Sequence, residues 1–473
     1  MFTPQVLLIS CYELGHQPLG LAWPLAELRR AGIEAAALDL AVQPFDERAA
    51  TAAKFVGIAA PMQTALRLGV QAAGRVRAAN AGVHICFFGL YAWLNRDYLL
   101  AHGGGDSVIG PEAEAPLLQL VRAVLAGDTN LAVPGVAALG ADRPPYLERP
   151  TLRVPHRAPL PPLESYARYI GGEASQPVGY TEATRGCQHL CRHCPIVPIY
   201  RGRLFVVPVE TVLADIRQQV TAGAGHIVFG DADFLNGPTH SLRIARAMHS
   251  EFCDLTFSFT AKVEHILEHR RHFPEFAALG CTFVTTAVES LSDRVLERLD
   301  KGHTAAEVEA ALDVLEQAGI AVQATLVAFT PWTTLDDYLA MTDFIQARGL
   351  QENIRPVQMS VRLLVPPHSA LLDEPDAAEW FGELDAASFS HRWAHPDPLM
   401  DNLFAAVSSL VEDAEARGES AHETHARIRG LAYAAAGKQA PPGHSAQPPA
   451  AAASVTADLE NWAVPRLSEN WFC

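Results

Sequence analysis

Apolar positions in the first quarter of the chain fall into two alternating patterns. Short apolar runs bounded by polar residues cover 5–10, 34–40, 55–59 and 83–88, the length of buried strands. Between them, 21–30 and 65–78 carry apolar residues at helical spacing. Strands alternating with helices predict a parallel sheet in an α/β, doubly wound Rossmann-like domain. A run at 108–114 and a helix over 116–125 close it, which gives a domain spanning 1–128. Such sheets bind ligands at the carboxyl ends of their strands, here the 11–17 and 60–64 loops.

Residues 129–175 break the pattern with Pro134, Pro144, Pro145, Pro150, Pro155, Pro159, Pro161 and Pro162. That density predicts a strap without regular secondary structure. Alternation then resumes. Strands are expected at 178–184, 226–233, 255–260, 282–288, 321–329 and 355–363, with helices between them. One helix, 209–222, places Val212, Leu213, Ile216 and Val220 on a single face. Another, 304–317, starts at Thr304 as N-cap and turns Val308, Ala311, Leu312 and Leu315 inward. Six such units predict a partial (β/α)6 TIM-like barrel over 176–370, with its chemistry on the loops after the strands. A helical C-terminal region, 371–435, follows, and 436–464 reads as a flexible Ala/Pro linker. The last element, 465–473, ends Trp471-Phe472-Cys473.

Composition narrows the class. A hydrophobic fraction of 49% with 19% charged residues describes a globular protein with a sizeable core. The net charge of −17 argues against a nucleic-acid partner, which would need a broad basic face. No apolar stretch is long enough to cross a bilayer, and no signal segment precedes the first strand. The chain is expected to be cytoplasmic and its cysteines reduced.

Three of the eight cysteines, Cys187, Cys191 and Cys194, lie within eight positions, directly after an expected barrel strand. Three thiolates on one loop hold three corners of a cubane iron–sulfur cluster and leave one iron open. The alternative is a zinc site, with His189 or His193 as the fourth ligand that zinc requires.

The Cys-x3-Cys-x2-Cys spacing resembles the signature of the radical S-adenosylmethionine (SAM) enzymes, in which SAM chelates the open iron of a 4Fe-4S cluster. The resemblance implies further roles. His193 stands where an aromatic residue usually packs on the SAM adenine. Gly230-Asp231-Ala232-Asp233 ends a strand where the SAM amino group is bound, although one aspartate is equally suited to cap a helix. Val288-Glu289-Ser290 looks like the family's Val-Glu-Ser element, so Glu289 and Ser290 are expected at SAM. Lys301-Gly302-His303-Thr304 is expected to turn the chain and cap a helix. Trp332 is a candidate wall for adenine or substrate. Arg362 or Gln358 would hold a carboxylate from inside the barrel, unless Arg362 makes a salt bridge instead. The implied partners are a small-molecule substrate and an external electron donor of flavodoxin or ferredoxin type.

The first domain resembles, in layout, the cobalamin-binding domain in front of many radical SAM enzymes. Its first loop lacks Asp-x-His-x-x-Gly, and His16, the one histidine there, is expected to be solvated or hydrogen-bonded. The whole arrangement resembles the radical SAM group named for a Cys-Sec-Ala-Glu-Pro or Cys-Cys-Ala-Glu-Pro tail. That group is related to the radical SAM enzyme of arsinothricin biosynthesis, which joins the 3-amino-3-carboxypropyl group of SAM to arsenic. The resemblance makes Cys473 a capture thiol on a mobile arm, with a selenocysteine codon expected after it. Two other functions fit the sequence: a cobalamin-dependent radical SAM methyltransferase or 5′-deoxyadenosyl-radical enzyme acting on an organic natural-product substrate, and a non-catalytic zinc-binding protein.

Overall fold

The computed structural model describes residues 5–128, 132–141, 143–171, 175–441 and 464–469. Five short apolar runs form the first sheet. They are β1 (Val6–Ser10), β2 (Ala35–Asp39), β3 (Phe55–Ala59), β4 (His84–Phe88) and β5 (Ser107–Ile109). All pair in parallel in the order β2-β1-β3-β4-β5. β1 and β3 are buried throughout because helices cover both faces of the sheet. The strap then adds β6 (Val136–Ala137) antiparallel to β5. Proline density therefore does not exclude every strand: a two-residue edge strand needs few backbone N–H groups.

The strap also supplies β7 (Arg168–Ile170), antiparallel to β8 (Gln176–Thr181), which opens the barrel. A small hairpin follows, β9 (Thr184–Gly186) against β10 (Leu204–Val206), and the cysteine loop lies between its strands. The parallel series continues with β11 (His226–Phe229), β12 (Thr256–Ala261), β13 (Cys281–Glu289) and β14 (Ala321–Leu326). The C-terminal region adds a hairpin of β15 (Leu384–Asp385) and β16 (Ser390–His391), and helices Pro398–Ala416 and Ala421–Ala435. Last comes β17 (Arg466–Leu467), antiparallel to β7. The second sheet is thus β14-β13-β12-β11-β8-β7-β17, a nearly closed ring.

The sixth expected strand, 355–363, does not form. Pro356 lacks an N–H, and its fixed φ suits the first turn of a helix. Pro356–Ser360 is a 3-10 turn, and only Arg362 makes a strand-like bridge, to Phe329. The ladder bond is replaced by a side chain: Gln358 Oε1 accepts from Leu326 N at 2.9 Å.

One apolar core joins both halves, running from Leu21 and Leu25 to Leu213 and Ile216. A buried charge also crosses it. Arg157 of the strap makes a two-point pair with Asp215, at 2.6 and 2.8 Å, and donates to Gln17 Oε1 and to the Tyr180 carbonyl. Removing one partner of such a pair strands the other charge in the core. Arg157→Met is expected to lower unfolding free energy by about 3–5 kcal/mol, read by denaturant titration. A loss below about 1 kcal/mol, the scale of an exposed pair, would show that water reaches Asp215. Among the described residues no helix is long and apolar enough to cross a membrane.

Candidate active site

Gly186 sets the path of the cysteine loop. Its φ is +82°, and a Cβ there would stand 2.3 Å from the Arg203 carbonyl across the hairpin. Only glycine permits that approach. Beyond it Cys187 and Cys191 are buried, the turn closes with Cys194 N donating to the Cys191 carbonyl at 3.1 Å, and all three thiols are free. Burial pushes the Cys194 thiol up to about 12 and raises Cys187 as well. Asn236 Nδ2 points at Cys187 Sγ from 3.6 Å, and the Lys301 ammonium lowers Cys194 against that trend. Three thiols near enough to raise one another, with a cation beside them, suit an iron–sulfur cubane with one open corner.

The two histidines named as a fourth zinc ligand differ, His189 facing Lys262 through Nδ1 and His193 keeping Nδ1 unpartnered among the described residues. His189, Asp233 and His265 do converge. However, Lys262 Nζ lies 3.0 Å from His189 Nδ1, and an ammonium only donates, so the His189 proton is on Nε2. That protonated nitrogen faces Asp233 and is no ligand. His193 turns Nε2 to Glu289 at 3.4 Å, while its Nδ1 is buried without a hydrogen-bond partner among the described residues. That atom is open to a bound molecule.

Glu289 ends β13 at a bulge with φ +64°, a left-handed conformation that costs a non-glycine residue about 1–3 kcal/mol. Val327 N donates to its carbonyl at 2.8 Å and holds it there. Burial alone would raise the Glu289 carboxyl, but Lys301 and His193 outweigh it and hold the group down to about 2. Lys301 Nζ stands 3.2 Å from Glu289 Oε1, and the residue is only 2% exposed. This corrects the turn-only reading of Lys301, whereas Thr304 does cap its helix, in a full capping box with Glu307.

The two aspartates divide. Both oxygens of Asp233 are engaged within the protein: Oδ1 caps Leu235 N at 2.8 Å, and Oδ2 accepts from Lys262 N and His265. Asp231 lines the barrel cavity, with its oxygens accepting from Ala183 N (2.9 Å) and Thr184 Oγ1 (2.5 Å). Burial pushes its carboxyl up to about 7. Ser290 Oγ accepts from Ser292 N beside Glu289. Arg362 is excluded from the cavity. It pairs with Asp401 at 2.8 Å and lies over Trp393, 3.7 Å from the ring centroid. Trp332 is core, packed against Trp380 and Phe381. Cys473 lies outside the described residues.

Two cavities meet at Tyr180 and Gly230. The first, about 250 Å³, lies inside the barrel. The second, about 290 Å³, lies where the first sheet reverses its strand order. Pockets for drug-sized ligands run from roughly 300 to 1,000 Å³, and a corrin is larger than such ligands. The space is also crossed by ion pairs, since Arg185 joins Glu112, Glu114 and Glu182 over the face of Trp23. His16 is not there. It is buried, stacked on Tyr180 at 4.4 Å and facing the barrel cavity, so it is neither solvated nor aimed at a corrin. No histidine lines this second cavity, so among the described residues none there would ligate a cobalt ion.

The radical SAM superfamily profile matches residues 181–345, so that stretch is a radical SAM domain, of a superfamily of enzymes that use a 4Fe-4S cluster and SAM. Among curated proteins the chain is similar to a hopanoid C-3 methylase of Methylococcus capsulatus. The match is 24% identical and covers 70% of this chain and 64% of the methylase. It is also similar to a tRNA-2-methylthio-N(6)-dimethylallyladenosine synthase of Pseudoalteromonas atlantica, at 25% identity over 40% of this chain and 42% of that protein. The chain thus spans less than two thirds of these relatives' lengths. Two solved structures share the fold. The cobalamin-dependent SAM radical enzyme OxsB, with aqua-cobalamin and SAM, has a TM-score of 0.67 and 14% identity, covering 87% of this chain and 67% of that one. The radical SAM methyltransferase TsrM of Kitasatospora setae, with tryptophan and a SAM analogue, scores 0.62 at 17% identity, covering 78% and 75%.

Proposed function

We propose that this chain cleaves SAM reductively and applies the resulting chemistry to a small molecule. One observation carries the reading. Three free thiols meet the Glu289–Lys301–His193 group at the carboxyl ends of the barrel strands. Cys187, Cys191 and Cys194 would hold a 4Fe-4S cluster, with SAM beside His193, Glu289 and Asp231. When bound, the cluster supplies the electron that breaks a carbon–sulfur bond of SAM.

The chain's own share is placement and exclusion. Lys301 keeps Glu289 ionised inside the protein, so its carboxylate accepts hydrogen bonds from hydroxyl or ammonium groups. Buried walls keep water from the reacting carbon. An external donor of flavodoxin or ferredoxin type would supply the electron to the loop.

Which carbon–sulfur bond breaks separates two finer readings. In one, a 5′-deoxyadenosyl radical acts on an organic substrate. In the other, the 3-amino-3-carboxypropyl group passes to a soft-element species such as arsenite, captured by Cys473. The second draws support from Glu469, which lines the barrel cavity and precedes Cys473 by four residues. Anaerobic turnover with SAM and dithionite, with mass analysis of the nucleoside, tests both. 5′-Deoxyadenosine indicates the first and 5′-methylthioadenosine the second. Neither product from a brown, cluster-loaded enzyme would end the proposal. Reconstitution with hydroxocobalamin should leave no histidine-ligated cobalt, and a cobalt–imidazole signal that disappears in His16→Ala would overturn that expectation.

A further inference from the structure

The barrel cavity has a wall contributed from far along the chain. β17 pairs with β7 through Arg466–Ile170 and Leu467–Tyr169. Ser468 N donates to the Arg168 carbonyl, and Arg168 N to Ser468 Oγ, both at 2.8 Å. On the opposite flank Gln323 of β14 donates to the Pro465 carbonyl at 3.0 Å, and Arg355 to the Leu467 carbonyl at 3.2 Å. Leu467 packs on the inward cluster of Tyr169, Val178 and Phe283. Glu469 lies against Gly15 and accepts from the Tyr12 hydroxyl at 3.0 Å. Residues 464–469 therefore fill the gap between the first and last staves of the barrel.

We infer that this segment completes a carboxylate-binding subsite, in which Arg466 and Arg355 hold an anionic end of the molecule in the barrel cavity. This deepens the function proposed above and rests on it. Both guanidiniums line the cavity of about 250 Å³, and neither comes from the residues around the cysteine loop.

The cavity's charges favour an anion at that end. Arg466 has its nearest carboxylate, Glu352, at 3.8 Å, and its Nε is buried without a hydrogen-bond partner among the described residues. Arg355 is held below its ordinary value by burial and then by Arg466, against the opposing pull of Glu352 and Glu415. Glu469 shares the wall, with one oxygen engaged by Tyr12. Asp231 lines the cavity with both oxygens engaged. The rest of the lining includes neutral polar side chains, Ser258, Thr285 and Gln323. Two adjacent guanidinium groups offer paired donors that match the two oxygens of a carboxylate. The cavity's size restricts the occupant to something near an amino acid in bulk.

A carboxylate could reach this subsite from a substrate or from the methionyl end of SAM. Two titrations separate them, both on anaerobic, cluster-loaded enzyme. One uses SAM. The other uses phenylacetate and glutarate against their neutral amides, followed by saturation-transfer NMR. If the carboxylate is the substrate's, an acid binds at least tenfold more tightly than its amide, and Arg466→Gln and Arg355→Gln each weaken it at least tenfold. Arg466→Lys retains part of the affinity. If the carboxylate is SAM's, the same variants weaken SAM by that factor instead. If neither acids nor SAM respond to Arg466→Gln, the subsite does not exist. Iron content is read alongside: a wild-type chain that holds no cluster refutes the proposed function, whereas intact clusters with unchanged binding refute only the subsite.

Discussion

Replacing any one of Cys187, Cys191 and Cys194 with alanine is expected to give colourless protein that no longer cleaves SAM. The cysteine loop offers three sulfurs. A cubane with one open corner already has the minimum number of protein ligands, so the loss of one sulfur exposes a second iron. Cys253, exposed and away from the loop, is the control, and Cys253→Ala should keep its colour. Iron analysis and nucleoside mass spectrometry read the outcome. About four irons per chain together with SAM cleavage in any of the three loop variants would overturn the ligand assignment.

The second large effect is expected at Lys301. Lys301→Met keeps the length of the side chain but removes the charge that holds the Glu289 carboxyl near 2. Glu289 is buried, with its backbone carbonyl held by Val327 N. Uncompensated buried charge costs about 3–5 kcal/mol, and the variant should lose stability on that scale. SAM affinity should fall at least tenfold. Lys301→Met with Glu289→Gln, which removes both charges, should recover much of the stability and none of the affinity. Recovery of both would mean that the pair is purely structural. Stability near wild type in the single variant would mean that Glu289 is solvated.

The parts legible in the sequence were those encoded locally. Thr304 and Glu307 are three apart, so the capping box that starts their helix is visible before any fold is known. The cysteine spacing is equally local, as are the apolar runs that became β1, β3 and β4. Errors arose where a partner is distant in sequence. Pro356 lies within an apolar run that predicts a strand, but a 3-10 turn forms there, with Gln358 reaching Leu326 N. Asp231 and Asp233 are alike on paper, and only the neighbours Ala183 and Lys262 tell them apart. Lys301 looked like a turn residue because Glu289, twelve positions earlier, meets it only after the loop and helix between them fold back. Its signal was a lysine downstream of Val-Glu-Ser. Nothing local marks Arg466, whose neighbour Arg355 is more than a hundred residues away.

The distance between β7 and β17 also orders events on the ribosome. Nearly three hundred residues separate the strand from its edge partner. At about 5–20 residues per second of synthesis, some 15–60 s pass between the emergence of the two. The five parallel staves and the cysteine loop are translated within that interval, and from β14 until β17 arrives one side of the ring stays open. A chain released within 442–463 would carry the loop, the strands and the helices, yet its cavity would never be closed. Such early-terminated products should be brown and should bind whatever the ring admits with little selectivity.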